Sequence, residues 1–372
     1  MSGSTVRQSL LWACVVALLG LAQARGGEVR VTGKIGDAPV DLLVADGRAG
    51  AALAAALPAA TPRPRPKMPE ITQPVMFNTP EADRIMAALQ VFPPDSPWNE
   101  DISQRPLHPN SAGIIAATNP NRWLWFNLDM GFIIAPPNQK RVPVKITAYP
   151  GESDKGPFPI PDNVPIEGWP IYGGNLEDYQ RKKENADRHA LVVDAANGVL
   201  YEFYSARKTD AGWEAAQASI FDLKSNELRP AGWTSSDAAG LPVVPAAIRY
   251  EECERGLVEH AIRVTVRKTR REYVYPATHF ASRHTNPDYP RMGERLRLRK
   301  DFDTSGFSKH PKAILEGMKK YGMFVADNGM DWLVSIAPDA RLKNLDELKR
   351  VKGKDFEVIL PTGPNEGPRA GK

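Results

Sequence analysis

The stretch TSSDAAGLPVVPAAIRYEECERGLVEHAIR, residues 234–263, places polar side chains and chain-bending residues in the middle of apolar sequence. Its first four residues are short and polar, and side chains of this kind bond to the neighbouring backbone and favour turns. Gly240, Pro242 and Pro245 keep the apolar residues around them out of a helix. The stretch therefore predicts a loop of fixed shape.

Two strands are predicted after this loop, at residues 248–250 and 261–266, with Gly256 in the connection between them. Elsewhere, short apolar runs are separated by turn residues, and the chain contains 29 glycines and 34 prolines. Long runs with a helical period are few, and they do not alternate with the strands. The sequence predicts a mostly β fold of two packed antiparallel sheets, in a jelly-roll or lectin-like sandwich.

A hairpin is predicted where an Asn-Gly pair at 197–198 separates the apolar runs 190–194 and 199–204, because this pair favours a tight turn. In the second run, Glu202 and Tyr204 share one face. A carboxylate beside an aromatic ring is typical of sites that hydrolyse sugars. An exposed sheet face would give the same pattern.

One helix is predicted to begin at His310 and to end before Gly322, and its apolar stripe covers the sheet. A second, short helix begins at Asn344 with a sequence similar to a capping box. Residues 295–299 alternate arginine with leucine and predict a strand with a basic, solvent-exposed face. Residues 327–329 (Asp-Asn-Gly) predict a turn between two strands.

An apolar run at 10–22 and a small-residue cleavage pattern at Ala24 predict a secretory signal, so the protein should be secreted or periplasmic. No later run is long and apolar enough to span a membrane. A short hairpin is predicted within residues 28–44. The predicted organisation is a signal peptide (1–24), a low-complexity Ala/Pro-rich leader or tether (25–74), a short helical lead-in (75–91), a single β-rich domain (92–360) and a polar tail (361–372).

Composition excludes several classes of function. The formal net charge of +4 is too balanced for a nucleic-acid-binding protein. Cys253 is the one cysteine after the signal, so no internal disulfide is expected, and its glutamate neighbours disfavour a thiolate. No phosphate loop, dinucleotide fingerprint or zinc-protease motif occurs, and no cofactor is expected. Asp187 and His189 offer a metal two ligands, too few to predict a metal site.

The candidate functional residues carry groups that exchange protons or hold polar ligands, and they cluster around the predicted strand ends. The catalytic candidates are Asp187, His189, Glu202, Asp237 and His260. The candidates for substrate binding are Arg263, His279, Tyr204, Trp233 and Arg291. Asp237, His260 and His189 are predicted to meet in one cleft, so His260→Ala should abolish turnover.

These residues favour a carbohydrate-active enzyme whose partner is a polysaccharide or a cell-wall glycan. A pair of carboxylates in one cleft would favour a hydrolase. A histidine or tyrosine beside Arg263, Arg291 or Arg295 would favour a lyase acting on a uronic-acid polymer, because arginine grips carboxylates with two hydrogen bonds. A non-catalytic, lectin-like glycan-binding protein is the alternative. The oligomeric state stays open.

Eight motifs follow one another along the chain, and each occurs once: SDKGPFPIP, DRHALVVD, LYEFYSA, TSSDAAGLPVVPAAIRYEE, HAIRVTV, YVYPATHFAS, MGERLRLRKDFD and KKYGMFVADNGMDW. Through them, residues 92–359 resemble a family of secreted bacterial and fungal proteins whose function is not characterised. The resemblance implies export. It assigns no activity and no catalytic residue.

Overall fold

The computed structural model describes residues 22–25, 28–35, 38–45, 64–184 and 186–361. The chain divides into two compact units, residues 1–61 and 62–372. In the first unit, β1 (Ala22–Arg25), β2 (Glu28–Ile35) and β3 (Ala38–Ala45) form an antiparallel sheet in that order. The hairpin predicted within residues 28–44 is thus confirmed. The predicted signal peptide up to residue 21, residues 46–63 of the Ala/Pro-rich segment and the tail after residue 361 lie outside the described residues.

The second unit contains a five-stranded sheet in the order β12-β9-β8-β6-β4. Its strands are β4 (Val75–Met76), β6 (Ile133–Ile134), β8 (Ala190–Asp194), β9 (Val199–Tyr204) and β12 (Gln217–Asp222). The β8–β9 hairpin is confirmed as antiparallel. Gly198 adopts φ +67° in its turn, a backbone conformation that glycine tolerates best.

A six-stranded sheet has the order β17-β14-β15-β13-β16-β5. Its strands are β5 (Trp125–Leu128), β13 (Ile262–Val266), β14 (Arg295–Leu298), β15 (Met323–Asn328), β16 (Leu333–Ile336) and β17 (Phe356–Val358). A third, small sheet of order β10-β11-β7 comprises β7 (Val144–Ile146), β10 (Arg207–Thr209) and β11 (Gly212–Ala215).

The helices of the second unit are short, apart from the one predicted to cover the sheet. They are α1 (Pro80–Ala88), α2 (Ser111–Ala117), α3 (Leu176–Arg181), α4 (Tyr250–Arg255) and α5 (Lys309–Lys320). Short 3₁₀ segments occupy Pro150–Glu152, Val244–Ala246, Leu345–Arg350 and Gly353–Asp355. None of the described helices is both long and apolar enough to cross a membrane.

Three local predictions are corrected. The strand expected at 248–250 is not formed, because Tyr250 begins α4 and Gly256 caps that helix with φ +95°. The short helix after Asn344 is a 3₁₀ helix, and Asn344 makes no capping hydrogen bond with its side chain. The arginines of β14 are not a solvent face: Arg295 and Arg297 are buried, and only Arg299, beyond the strand, is exposed.

Strand direction is also corrected. The sheet-rich fold is confirmed, but the sheets are mixed, with parallel pairs β6–β8, β7–β11, β13–β15 and β5–β16. The antiparallel expectation was wrong there because these strands are far apart in sequence, and hydrophobic period indicates which face is buried, not strand direction. The jelly-roll form is not confirmed.

The five-stranded sheet separates two cores. Leu200 of β9 belongs to the main core, which also includes β13, β15 and α5, whereas Tyr201 and Phe203 face a second core beside the small sheet. Because successive side chains of a strand point to opposite faces, Glu202 is directed toward the main core, where it is fully buried. The fold thus places a carboxylate where only polar partners can stabilise it.

Candidate functional site

The loop at 234–241 is ordered by its own hydrogen bonds, as its sequence predicts. The Ser235 hydroxyl donates to the carbonyl oxygens of Leu241 (2.6 Å) and Asp237 (2.9 Å), and it accepts from the Asp237 N–H (3.0 Å). Gly240 adopts φ +74° and packs against Thr278. The loop is therefore a rigid wall, and most of its polar atoms are already bonded.

The buried carboxylate of Glu202 binds this loop from the side of the main core. Its carboxylate accepts a hydrogen bond from the Ser236 hydroxyl (2.7 Å) and from the backbone N–H groups of Val243 and Val244 (2.9 Å each). Burial raises the pKa of the Glu202 carboxyl above its usual range, although these donors oppose that effect. A predicted catalytic residue is thus a fully buried support of the loop.

His189, the residue directly before β8, supports the same loop. Its Nε2 lies 2.7 Å from the Ser236 carbonyl oxygen, and its Nδ1 lies 2.8 Å from Oε2 of Glu167. Burial disfavours the imidazolium, but the Glu167 charge and the hydrogen bonds to Glu167 and the Ser236 carbonyl together raise the pKa of His189 to about 10. In turn, burial opposes ionisation of Glu167, but the His189 charge keeps the pKa of that carboxyl below its usual value. With both partners accepting, His189 is a doubly donating cation.

Asp237 and Arg263 form a buried ion pair behind the loop. Nε and Nη2 of Arg263 each donate to a carboxylate oxygen of Asp237 at 2.8 Å, and Nη1 donates to the Ser335 hydroxyl at 2.6 Å. Burial disfavours the charged guanidinium, yet the Asp237 carboxylate raises its pKa further above the ordinary value. All three guanidinium nitrogens therefore already donate to protein partners.

In front of this wall lies a cleft of about 240 Å³. It is lined by Tyr149, Asp187, Tyr204, Thr234, Ser235, Ser236, Ala238, His279, Ala281, Asp327 and Asn328. Three of the predicted residues line it: Asp187, Tyr204 and His279. His189, Glu202, Asp237 and Arg263 instead bond to or through the loop that forms its wall.

Asp327 is the cleft residue that the sequence prediction treated only as part of a turn. A β-bulge interrupts the β13–β15 pairing, since Val264 pairs with Val325 and the next residue, Thr265, pairs with Asp327. Such bulges redirect side chains. Burial, followed by the charge of Asp237, raises the pKa of Asp327 to about 7, and the charge of Asp187 adds to the effect. A half-buried acid can therefore hold its proton near neutral pH.

Asp187 and Tyr204 lie side by side at the ends of β8 and β9. Asp187 is exposed, whereas Tyr204 is half-buried. Burial, and then the neighbouring Asp187 carboxylate, raises the pKa of Tyr204 to about 12. The phenol is therefore protonated across the neutral range, where it can donate a hydrogen bond or offer its ring to a ligand.

His279 has one ring nitrogen held by the wall. Its Nδ1 lies 2.7 Å from the Ala238 carbonyl oxygen, and its ring stacks on Phe280 at 5.7 Å between centroids. A carbonyl can only accept, so Nδ1 carries a hydrogen. In the neutral imidazole, this leaves the Nε2 lone pair available to a ligand.

Asp129 is a second acid that the sequence prediction missed. Its side chain is buried, and Oδ1 has no hydrogen-bond partner among the described residues. Burial and the charge of Glu167 raise its pKa to about 6. Nothing in a single sequence distinguishes this aspartate from a surface one, because the effect depends on distant chain segments.

His260 does not share the cleft, so the prediction that it meets Asp237 and His189 is wrong for this residue. Its Nε2 lies 3.1 Å from Oε2 of Glu252, and its Nδ1 lies 2.8 Å from the Ala261 carbonyl oxygen. Glu252 also binds Arg249 at 2.6 Å. The physical reason is α4, which places Glu252 against the start of β13.

Arg291 and Trp233 also lie apart from the cleft lining. Arg291 donates to both carboxylate oxygens of Glu294, at 2.7 and 2.8 Å, in a buried pair. Trp233 is half-buried, and the Arg229 guanidinium lies 5.5 Å from its ring centre. Both are structural partners. Within the described ranges, no group of three or more His, Cys, Asp or Glu residues is arranged to hold a metal ion.

Comparisons of this chain with protein-family models, with curated proteins and with solved structures find no match. The resemblance to secreted bacterial and fungal proteins stays a prediction.

Proposed function

We propose that the cleft is the active site of a glycoside hydrolase. Asp327 acts as the general acid that protonates the leaving oxygen, and Asp187 acts as the base or nucleophile on the other side of the glycosidic bond. This division of labour requires two carboxyl groups with different environments, one that keeps its proton and one that is open to solvent.

The observation that carries this proposal is the pairing of Asp327 with Asp187 in one cleft. Asp327 is half-buried, whereas Asp187 is exposed. The charge of Asp187 contributes to raising the pKa of Asp327, so the two carboxyl groups are close enough to interact. A pKa of about 7 suits a general acid at neutral pH, because the group is protonated and still gives up its proton readily.

The aromatic lining supports a sugar as the ligand. Tyr149 is 44% exposed and lies at the same cleft as Tyr204. Tyrosine rings stack on the apolar faces of sugars while their hydroxyls bond to sugar hydroxyls. These two rings are also the observation that favours the second candidate, a lectin-like protein that binds glycans without cleaving them.

A lyase acting on uronic acids has less support. Its substrate carboxylate needs a neutralising partner, and the three arginines considered for this role are engaged elsewhere. Arg263 binds Asp237, Arg291 binds Glu294, and Arg295 donates to the carbonyl oxygens of Pro97 and Tyr321. Among the described lining residues, His279, Tyr149 and Tyr204 remain as groups that a lyase would use as its base.

We also propose that the protein is exported, as secreted or periplasmic, and that its ligand is a polysaccharide or cell-wall glycan. The N-terminal sequence of residues 1–24 supports export. A jelly-roll or lectin-like relationship between the sheets remains part of this proposal.

The test compares wild type with Asp327→Asn and Asp187→Asn on a panel of glycans, using a reducing-end assay and an assay for unsaturated products. We expect reducing ends without unsaturation, and a loss of about 10²–10⁴-fold in kcat/KM for each variant. Asp210→Asn, at a fully exposed side chain, serves as the control and should retain activity. Full activity in Asp327→Asn, or no cleavage of any glycan by folded wild type, would contradict the proposal.

A further inference from the structure

We propose that the glycan cleaved in this cleft is uncharged, and that the cleft rejects polymers bearing carboxylate or sulfate groups. This inference rests on the proposed hydrolase function and adds the class of substrate. Two observations support it: the charged groups that line the cleft are carboxyl groups, and the nearby arginines are already bound to other protein groups in or behind the wall.

The ionisable groups that line the cleft are mostly acidic. Asp187 and Asp327 contribute carboxyl groups, Tyr149 and Tyr204 contribute phenols, and His279 contributes an imidazole. No lysine or arginine occurs among these described lining residues. An anionic sugar would therefore meet the Asp187 carboxylate, and Asp327 wherever that group is ionised, without a lysine or arginine to compensate, a form of selection against the wrong ligand.

The nearby arginines do not supply the positive charge that the cleft lining lacks. Arg263 is bound to Asp237 and Ser335 behind the wall. Nε of Arg229 donates to the Thr234 carbonyl oxygen at 2.8 Å and Nη1 donates to the Asp154 carboxylate at 2.6 Å. Its Nη2 donates to the Glu152 carbonyl oxygen at 2.9 Å. Turning either guanidinium toward a ligand would leave a buried acceptor or carboxylate unpaired, which is strongly unfavourable.

The hydroxyl groups of the wall are equally engaged. Ser236 donates to Glu202, and Ser235 donates to the Leu241 and Asp237 carbonyl oxygens. Thr234 lies within 3.4 Å of the Ser235 carbonyl and within 3.3 Å of the Asp237 carbonyl. These hydroxyls therefore do not form an anion-binding cradle.

The formal net charge of +4 does not reverse this preference. At physiological salt, charges separated by more than about 8 Å in solvent are largely screened. The groups within the cleft therefore decide which charge a bound sugar unit can carry, whereas the distributed basic residues affect only weak, long-range attraction.

The experiment uses matched polymers that differ in charge. One pair is methyl-esterified polygalacturonate and the same polymer after de-esterification; the other is a β-glucan before and after oxidation of its C6 hydroxyls to carboxylates. Wild type is assayed for cleavage and, separately, for binding at low and high ionic strength. We expect the uncharged member to be preferred at least about tenfold, with a difference that narrows as salt screens the repulsion.

A charge-adding variant gives the matched control. Ala281 is exposed and lines the cleft. Ala281→Lys should improve cleavage or binding of the carboxylated polymer, and Ala281→Met, of similar length without the charge, should not. Equal improvement by both variants, or wild type that prefers the carboxylated member of a pair, would overturn the inference.

The two proposals fail differently in this experiment. If wild type binds the uncharged polymers selectively but cleaves none, the hydrolase proposal fails and the charge preference stands. If wild type cleaves the carboxylated polymers better, the hydrolase proposal stands and the charge preference fails. Absence of binding to every polymer overturns both.

Discussion

Three aspartates within one small region have different roles because their surroundings differ. Asp237 forms a salt bridge with Arg263, whereas Asp187 is exposed to solvent. Asp327 is half-buried, and the charges of both other aspartates act on it. The sequence singled out Asp187 and Asp237 as catalytic candidates. The sequence could not show that both carboxylate oxygens of Asp237 bind Arg263, or that Asp327 lines the cleft, because both facts depend on contacts between distant segments.

We predict that His189→Gln is strongly destabilising. His189 and Glu167 form a buried ion pair, and removing one partner leaves the other charge unpaired, which typically costs about 3–5 kcal/mol. The free energy of unfolding, measured by urea denaturation at neutral pH, checks this. His284→Gln, at an exposed histidine, is the control and should change little.

The pH dependence of stability provides a second check on His189. Its pKa in the folded protein is about 10, above the value of about 6.5 for an unfolded chain. The folded state therefore binds the proton more tightly, and this contribution is fully present below about pH 6.5 and is lost as the pH rises through about 10. Wild type should lose stability over this range, and His189→Gln should lose less; identical slopes would contradict the assignment.

For single helices and strands, the sequence predicted those elements that have strong local patterns, such as a turn pair or a long apolar stripe, and missed those with weak patterns. The sequence predicted the Asn-Gly hairpin of β8 and β9, the helical lead-in at 75–91, which contains α1, and the helix α5. α4 was missed because six residues are too few to show a helical period. Its signals were nonetheless present: acidic residues in the first turn, Arg255 in the last turn and Gly256 at the cap.

This missed helix changes the expectation for His260. We predict that His260→Ala lowers the free energy of unfolding by about 1–3 kcal/mol, because Glu252 and the Ala261 carbonyl lose their partner. Activity per folded molecule should stay near the wild-type value. Thermal melts and a rate assay on the same samples check both parts; an inactive variant of unchanged stability would restore the catalytic assignment.

The wall of the cleft depends on glycine at position 240. Gly240 adopts φ +74°, and an added Cβ would overlap the Thr278 hydroxyl and lie 2.7 Å from the Trp233 carbonyl oxygen. We predict that Gly240→Ala costs about 2 kcal/mol or more. Gly173→Ala is the matched control, since Gly173 has a similar φ of +79° but nothing lies within 4 Å of its added Cβ. A similar loss in the two variants would contradict the steric argument.

On the scale of the whole molecule, the cleft forms where loops from two sheets and the 234–241 wall meet. Asp187 and Tyr204 come from the ends of β8 and β9 in the five-stranded sheet, and Asp327 comes from β15 in the six-stranded sheet. The sequence predicted a sheet-rich fold but not this convergence. Strand order and direction are set by long-range pairing, which hydrophobic periodicity does not encode.

We predict that the stability of the processed protein does not respond to reducing agent. Cys253 is fully buried and free, and burial raises the pKa of its thiol. The processed chain would contain no second cysteine with which to form an internal disulfide. Melting temperatures of the monomer with and without dithiothreitol should agree, and a large shift would refute the prediction.

The most direct test of the central claim is the pH dependence of kcat/KM for wild type and Asp327→Asn on the uncharged polymer that wild type cleaves. A protonated Asp327 is the active form of a general acid, and its pKa is about 7. Wild-type kcat/KM should therefore fall as the pH rises through about 7, while denaturation curves in the same buffers show folded protein. Asp327→Asn should have little activity at any pH. A wild-type profile that stays flat well above pH 7, or a variant with wild-type rates and the same profile, would contradict the account.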